Sequence, residues 1–180
     1  MRMLGLVLVA FVAGCATVGC EPVAVPGPDD PNAELVCDDA YLGAVRDLIE
    51  GATETLVVAQ FELFPGAPTD EIVALLIAAA ERGVAVRVLL DDEIDDNIDG
   101  VARLDAGGVD ARLDDLPETT LHAKMLAADG AVAILGSTNW STSSIERNHE
   151  CNLLVRNGPP PAYAQAWFDE VWQNVAWRGA

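Results

Sequence analysis

Positive charge is what this chain has least of. Lys124 is its single lysine, and 29 Asp and Glu oppose 10 Lys and Arg, for a formal net charge of −19. A surface with that balance repels long polyanions. Long-range attraction to DNA, RNA or an anionic membrane face is therefore disfavoured. Histidine is nearly missing as well: His122 and His149 are the whole supply. Long apolar runs are also missing, and the stretch from Met3 to Ala13 falls short of the about 20 residues a bilayer-spanning helix needs. There is no internal repeat, and 180 residues make one ordinary domain rather than two. Charged residues are only 22% against 51% hydrophobic, which excludes a disordered chain and leaves enough apolar surface for a packed core.

The N-terminus reads as an address. Arg2 precedes the short apolar run, the pattern of a secretory signal. The run ends in Val12-Ala13-Gly14-Cys15, which resembles a bacterial lipobox. That resemblance implies a lipoprotein signal peptide over 1–14, lipidation of Cys15, and a lipid-anchored protein of the bacterial cell envelope, on the periplasmic side or at the cell surface. Thr17-Val18-Gly19-Cys20 is a weaker second candidate, and an ordinary signal peptide with a chance Cys is the plainer alternative. Cleavage before Cys15 would remove Arg2 and take the side-chain charge from −19 to −20. Residues 15–33 form a tether, because Pro26, Pro28 and Pro31 block regular helix and sheet. The domain proper occupies 34–180. In an exported chain Cys37 and Cys151 are candidates for a disulfide. Its loop of more than 100 residues would contribute about 4–5 kcal/mol at best in the chain-entropy account. Two buried free thiols are the rival reading.

Helical and strand patterns alternate along the domain. Cys37–Gly51 carries apolar residues at helical spacing, and Thr55–Phe61 reads as a buried strand. A helix from Thr69 to about Arg82 stops at Gly83, and Val84–Leu90 is the next strand. After an acidic stretch comes a short helix to about Ala106. Val109–Leu113, Thr120–Ala128, Ala131–Gly136 and Cys151–Val155 read as further strands, and a final helix follows Pro161. The alternation predicts an α/β fold with a layered sheet.

The scarce residues gather between His122 and Glu150. His122-Ala123-Lys124 and Asp129 give H-x-K-x-x-x-x-D, and Gly136-Ser137-Thr138-Asn139 gives G-S-x-N. On a strand, residues two apart share a face, so His122 and Lys124 are expected to point at one spot, as are Ser137 and Asn139. Asp129 stands an odd number of positions from Lys124, which puts it on the other face or in a turn, in a structural role. Imidazole, ammonium, hydroxyl and amide together suit a phosphate diester: one nucleophile, several donors to its oxygens.

Both halves of the pattern resemble the phospholipase D superfamily, over roughly Ala40 to Gln173. The resemblance implies the phospholipase D-like fold, an α/β/α layered mixed sheet, and a two-step displacement through a phosphohistidine, with His122, Lys124, Ser137, Asn139 and Glu150 as catalytic residues. Glu150 would orient the catalytic imidazole by accepting its N–H. No metal or cofactor is implied. The family reaction uses two imidazoles, and this chain carries one motif. It is similar to small bacterial endonucleases and their mitochondrial relatives, which build one site from two subunits, so a homodimer with a shared active site is expected. Single-motif architecture points to a nuclease; net charge and a lipid anchor point to a phospholipid head-group diester, the favoured substrate. Nucleic-acid cleavage and a non-catalytic surface-binding lipoprotein are the alternatives.

Three stretches have blander readings. His149 is read as a rim residue. Asp95-Asp96-Asn97-Ile98-Asp99-Gly100 matches half of a calcium loop, but Ala106 stands where that loop needs a carboxylate. It reads as a solvated acidic loop. Trp167, Trp172 and Trp177 read as core and dimer packing, with an interfacial membrane contact as the alternative.

Overall fold

Runs of Val, Leu and Ala too short for helices form the sheet. The computed structural model describes residues 31–175. The signal peptide, Cys15, Cys20, most of the tether and Trp177 lie outside the described residues. The strands are β1 (Ala33–Cys37), β2 (Thr55–Gln60), β3 (Ala85–Asp91), β4 (Asp110–Asp114), β5 (Lys124–Ala128), β6 (Val132–Gly136) and β7 (Cys151–Arg156). The helices are α1 (Ala40–Gly51), α2 (Ala67–Glu81), α3 (Asp95–Ala106), α4 (Thr142–Glu146) and α5 (Pro159–Asn174).

The strands form one sheet in the order β1-β7-β6-β5-β2-β3-β4. β2, β3 and β4 run parallel, joined by crossovers through α2 and α3; the other neighbours pair antiparallel. α2 shows how locally the punctuation is set. Pro68 stands in its first turn, and Gly83 takes φ of 93° just beyond its end, a left-handed value that favours glycine.

Both faces of the sheet are covered. Alternate residues such as Leu56, Val58, Leu126 and Ile134 pack under α1 to α4. The intervening Val57, Ala59, Leu89, Met125 and Ala127 pack under α5, through Ala164, Phe168 and Trp172. Arg87 pairs with Asp169 at 2.6 Å, and Arg112 lies 3.9 Å from the Trp172 ring centroid, tying α5 to β3 and β4. This is the expected α/β/α layered mixed sheet.

Several segments differ from expectation. Ala33–Cys37 is an edge strand, and the first helix begins at Ala40 rather than Cys37. β5 begins at Lys124 rather than Thr120, so His122 stands just ahead of the strand. The acidic run is helix from Asp95 onward rather than loop, and Asn97 spends its amide on backbone: it accepts from Leu63 N and donates to Phe61 O and Asp91 O. Among the described residues no group of three or more His, Cys, Asp or Glu is placed to hold a metal ion. Cys37 and Cys151 stand opposite each other in the β1–β7 register and form a disulfide.

Candidate active site

Strand direction decides where the chemistry collects. β1, β2, β3, β4 and β6 point their C-terminal ends at one edge of the sheet, and antiparallel β5 and β7 begin there. That edge holds Asp38 after β1, Phe61 after β2, Asp91 closing β3, His122 ahead of β5, Ser137 after β6 and Glu150 ahead of β7. Crevices at the carboxyl ends of parallel strands are the usual ligand sites of α/β sheets.

His122 is exposed and Lys124 half-buried, and Phe61 joins them. The Phe61 ring centroid lies 4.7 Å from that of His122, and Lys124 Nζ lies 4.9 Å from the Phe61 centroid. Lys124 Nζ also donates to His122 O at 3.1 Å. The segment before His122 is pinned by buried Asp91, which accepts from Leu121 N at 2.7 Å. Burial lowers the pKa of Lys124, and the carboxylates of Glu62, Glu150 and Asp91 pull it back up. Lys124 therefore sits in a field of three acids without a direct ion pair among the described residues, its ammonium available to another anion.

Ser137 and Glu150 meet directly, Ser137 Oγ donating to Glu150 Oε2. Asn148 Nδ2 donates to Glu150 Oε1 at 3.1 Å, and Cys151 N donates to Ser137 Oγ at 3.2 Å. Within one chain, then, Glu150 is engaged with Ser137 and Asn148, while the His122 ring rests on Phe61. Asp38 holds the segment from outside: it accepts from Glu150 N at 2.9 Å, and its other oxygen lies 3.0 Å from His149 Nδ1. The His149 hydrogen bond lowers the Asp38 pKa most, followed by the Glu150 N–H. His149 is otherwise in solvent, on the rim. Asn139 is half-buried, with an amide oxygen that is buried and unpartnered.

Gly136 is needed where it stands. A Cβ there would lie 2.2 Å from Asn152 Oδ1 and 2.6 Å from Asn152 Cα. Asn152 itself is buried and bonds Thr138 Oγ1 and Val36 O, so it cannot yield. Asp129 stands at the far end of β5. Its carboxylate accepts from the backbone N–H of Thr53, Glu54 and Thr55 and from the Thr53 hydroxyl, all at 2.8–2.9 Å. Burial pushes its pKa up, but these donors outweigh burial and leave it below the usual carboxylate range.

Residues 45–172 match the family described as cardiolipin synthase, PLD-like domain. The chain belongs to the phospholipase D-like family. It is 29% identical over 155 residues to a mouse (Mus musculus) protein named mitochondrial cardiolipin hydrolase, covering 85% of this chain and 67% of that one. It is 26% identical over 132 residues to a protein from Rickettsia bellii named phospholipase D, covering 72% of this chain and 63% of that one. The 32% identical human (Homo sapiens) mitochondrial cardiolipin hydrolase is matched over 37% of its length, so this chain spans two thirds or less of these relatives. Among solved structures, the phospholipase D family member Nuc from Salmonella typhimurium superposes with a TM-score of 0.69 at 20% identity, covering 82% of this chain and 99% of that one. NucT from Helicobacter pylori gives 0.66 at 17%, covering 80% and 97%. Both likenesses concern the fold. Membership places the chain among the superfamily's phosphodiesterases.

In this phospholipase D-like chain His122, Lys124 and Gly136 of the motif line a cleft of about 540 Å³. His122 and Lys124 form one part of it; Met125, Leu135, Tyr163 and Trp167 form another. A second hollow of about 460 Å³ lies at the opposite end of β5, beside Asp129, away from the reactive groups. The sequence pattern did not single out Phe61, Asp91, Asp38 or Asn152, and it marked Asn97 only as part of a half calcium-loop match. Phe61 and Asp91 close strands that point at the site, and that position was the available signal. Asn97, Asp38 and Asn152 act through backbone hydrogen bonds that no spacing reveals.

Proposed function

We propose that the protein hydrolyses the head-group diester of a phospholipid by phospholipase D-type chemistry. The observation that carries this reading is the cleft in which His122 and Lys124 adjoin an apolar wall, with no acidic side chain in its lining although the chain has 29 Asp and Glu. Relatives named cardiolipin hydrolase and phospholipase D support the same reading.

The His122 imidazole attacks phosphorus, and the bond from phosphorus to the leaving alcohol breaks as the phosphorus–nitrogen bond forms. Lys124 and Asn139 donate to the phosphoryl oxygens, where charge grows, while the Ser137 hydroxyl, which donates to Glu150, positions that carboxylate. A second imidazolium protonates the departing alkoxide. Water then attacks phosphorus, gives its proton to that same imidazole, and the phosphorus–nitrogen bond breaks. The second imidazole comes from His122 of another copy in a homodimer. Glu150 holds the Ser137 hydroxyl and serves the imidazole across that shared site. An anchor at Cys15 would keep the enzyme beside its bilayer, in the bacterial envelope.

The test incubates the detergent-solubilised full chain with labelled phospholipid and with DNA, at low and high salt. Release of head group from lipid, abolished by His122→Ala in a folded protein, is the expected result. Cleavage of DNA with no attack on lipid would replace this reading by the nuclease one. Undiminished activity in His122→Ala would remove His122 as the nucleophile.

A further inference from the structure

We propose that Tyr163 and Trp167, on α5, bind the acyl-glycerol part of the substrate and set a preference for acylated over deacylated diesters. This rests on the phospholipid reading above and adds the residues that would enforce it.

Residues four apart on a helix share a face. One face of α5 is spent on the core, with Ala164, Phe168 and Trp172 buried against the sheet. Tyr163 and Trp167 are not part of that face. They are 60% and 42% exposed, among the few large apolar side chains left in solvent, and both line the cleft that holds His122 and Lys124. Tyr and Trp are enriched at interfaces where one end of the ring meets apolar surface and the other meets water. Met125 and Leu135 line the same cleft, so the two rings and the reactive pair share a largely apolar lining.

The charge pattern selects the occupant. A nucleic acid would present phosphates along its whole length, yet beyond Lys124 the lining offers no further cation. A diester with one phosphate and a hydrocarbon side fits both parts: the phosphate at Lys124 and His122, the glycerol and first acyl carbons against Met125, Leu135 and the two rings. Tyr and Trp suit this position because each joins an apolar ring to one polar group that tolerates the wet rim.

The experiment compares two substrates that share one diester. Dihexanoyl phosphatidylcholine, used below its micelle concentration, carries acyl chains; glycerophosphocholine does not. Choline release by the full chain should favour the acylated diester, and the double variant Tyr163→Ala/Trp167→Ala should lower that preference by about ten-fold or more. Equal losses on both substrates, or none, would overturn the inference. So would dissociation of the dimer in the double variant by sedimentation, since the rings would then form the seam between copies. A binding readout works without turnover. In His122→Ala protein, dihexanoyl phosphatidylcholine should shift tryptophan emission to the blue, glycerophosphocholine should not, and Trp167→Phe should remove most of the shift. A shift that survives Trp167→Phe, or no shift at all, would overturn the inference. Failure of the phospholipid reading would show separately, as DNA cleavage by wild-type chain with no lipid turned over.

Discussion

Lys124 is held where its charge is costly to keep. Burial lowers its pKa from the ordinary 10.5, and three nearby carboxylates only partly restore it. A lysine whose folded pKa is lowered opposes folding wherever it must stay protonated, and that cost fades as pH rises through the folded value towards 10.5. At neutral pH Lys124→Met should therefore raise the melting temperature while turnover is lost. Thermal denaturation with a parallel assay measures both, and a lowered melting temperature would show that the three acids outweigh burial. Lys124→Ala should cost about 10²-fold or more in rate, because a charged donor to the phosphoryl oxygens is removed. Gly136 gives the opposite kind of variant. The Cβ of Gly136→Ala would run into both the Asn152 backbone and its amide, which hydrogen bonds to Thr138 and Val36 hold in place. A loss of about 1–3 kcal/mol is expected by chemical denaturation, with activity reduced because Ser137 is displaced from Glu150. Full activity and stability together would mean that β6 and β7 separate more easily than their register suggests.

At the scale of elements, β5 links two different jobs. Its start carries Lys124 to the site, and the turn at its end holds Asp129, which binds three successive N–H groups leading into β2. Asp129→Asn should cost about 1–2 kcal/mol while the rate per folded molecule persists. The lowered pKa of Asp129 means that its stabilisation is present above 3.8 and is lost as pH falls below that value. The stability gap between wild type and Asp129→Asn should therefore close on acidification. A gap independent of pH would assign the role to shape rather than charge. The same hairpin was readable in the sequence, since two paired strands with Gly-containing turns bracket both halves of the motif. Other elements were not. β1 buries only Val36, so its alternation is too weak to mark a strand. α4 spans five residues, less than two turns, and shows no period. α3 begins with Asp and Asn, which resemble a loop until tertiary contacts use Asn97 as a clamp. On α5 the sequence pattern groups Trp167 with Trp172 as packing, yet only Trp172 is buried, and spacing cannot tell that Tyr163 and Trp167 face a cleft.

For the whole molecule the deciding quantity is the number of imidazoles per site. His149 is the sole other histidine, and its Nδ1 lies beside Asp38 on the rim, with nearly its whole side chain exposed. It shares no described contact with His122 or Lys124. A second copy of His122 is the better source, and a two-fold axis beside the cleft would supply Lys124 and Asn139 from both chains as well. Two chains of −19 repel, so the dimer should tighten as salt screens their charge. Sedimentation at rising ionic strength measures that directly. Mixing tests the shared site itself. When equal amounts of wild-type and His122→Ala chains exchange freely, only about a quarter of the dimers carry two imidazoles. If both are needed, the rate should fall to about a quarter of that of undiluted wild type rather than about half. A rate of half, from a protein that sediments as a monomer at the assay concentration, would place the whole reaction within one chain. His149 would then have to leave Asp38 to serve as the second imidazole, and Asp38→Asn, which weakens its hold there, should raise activity instead of lowering it.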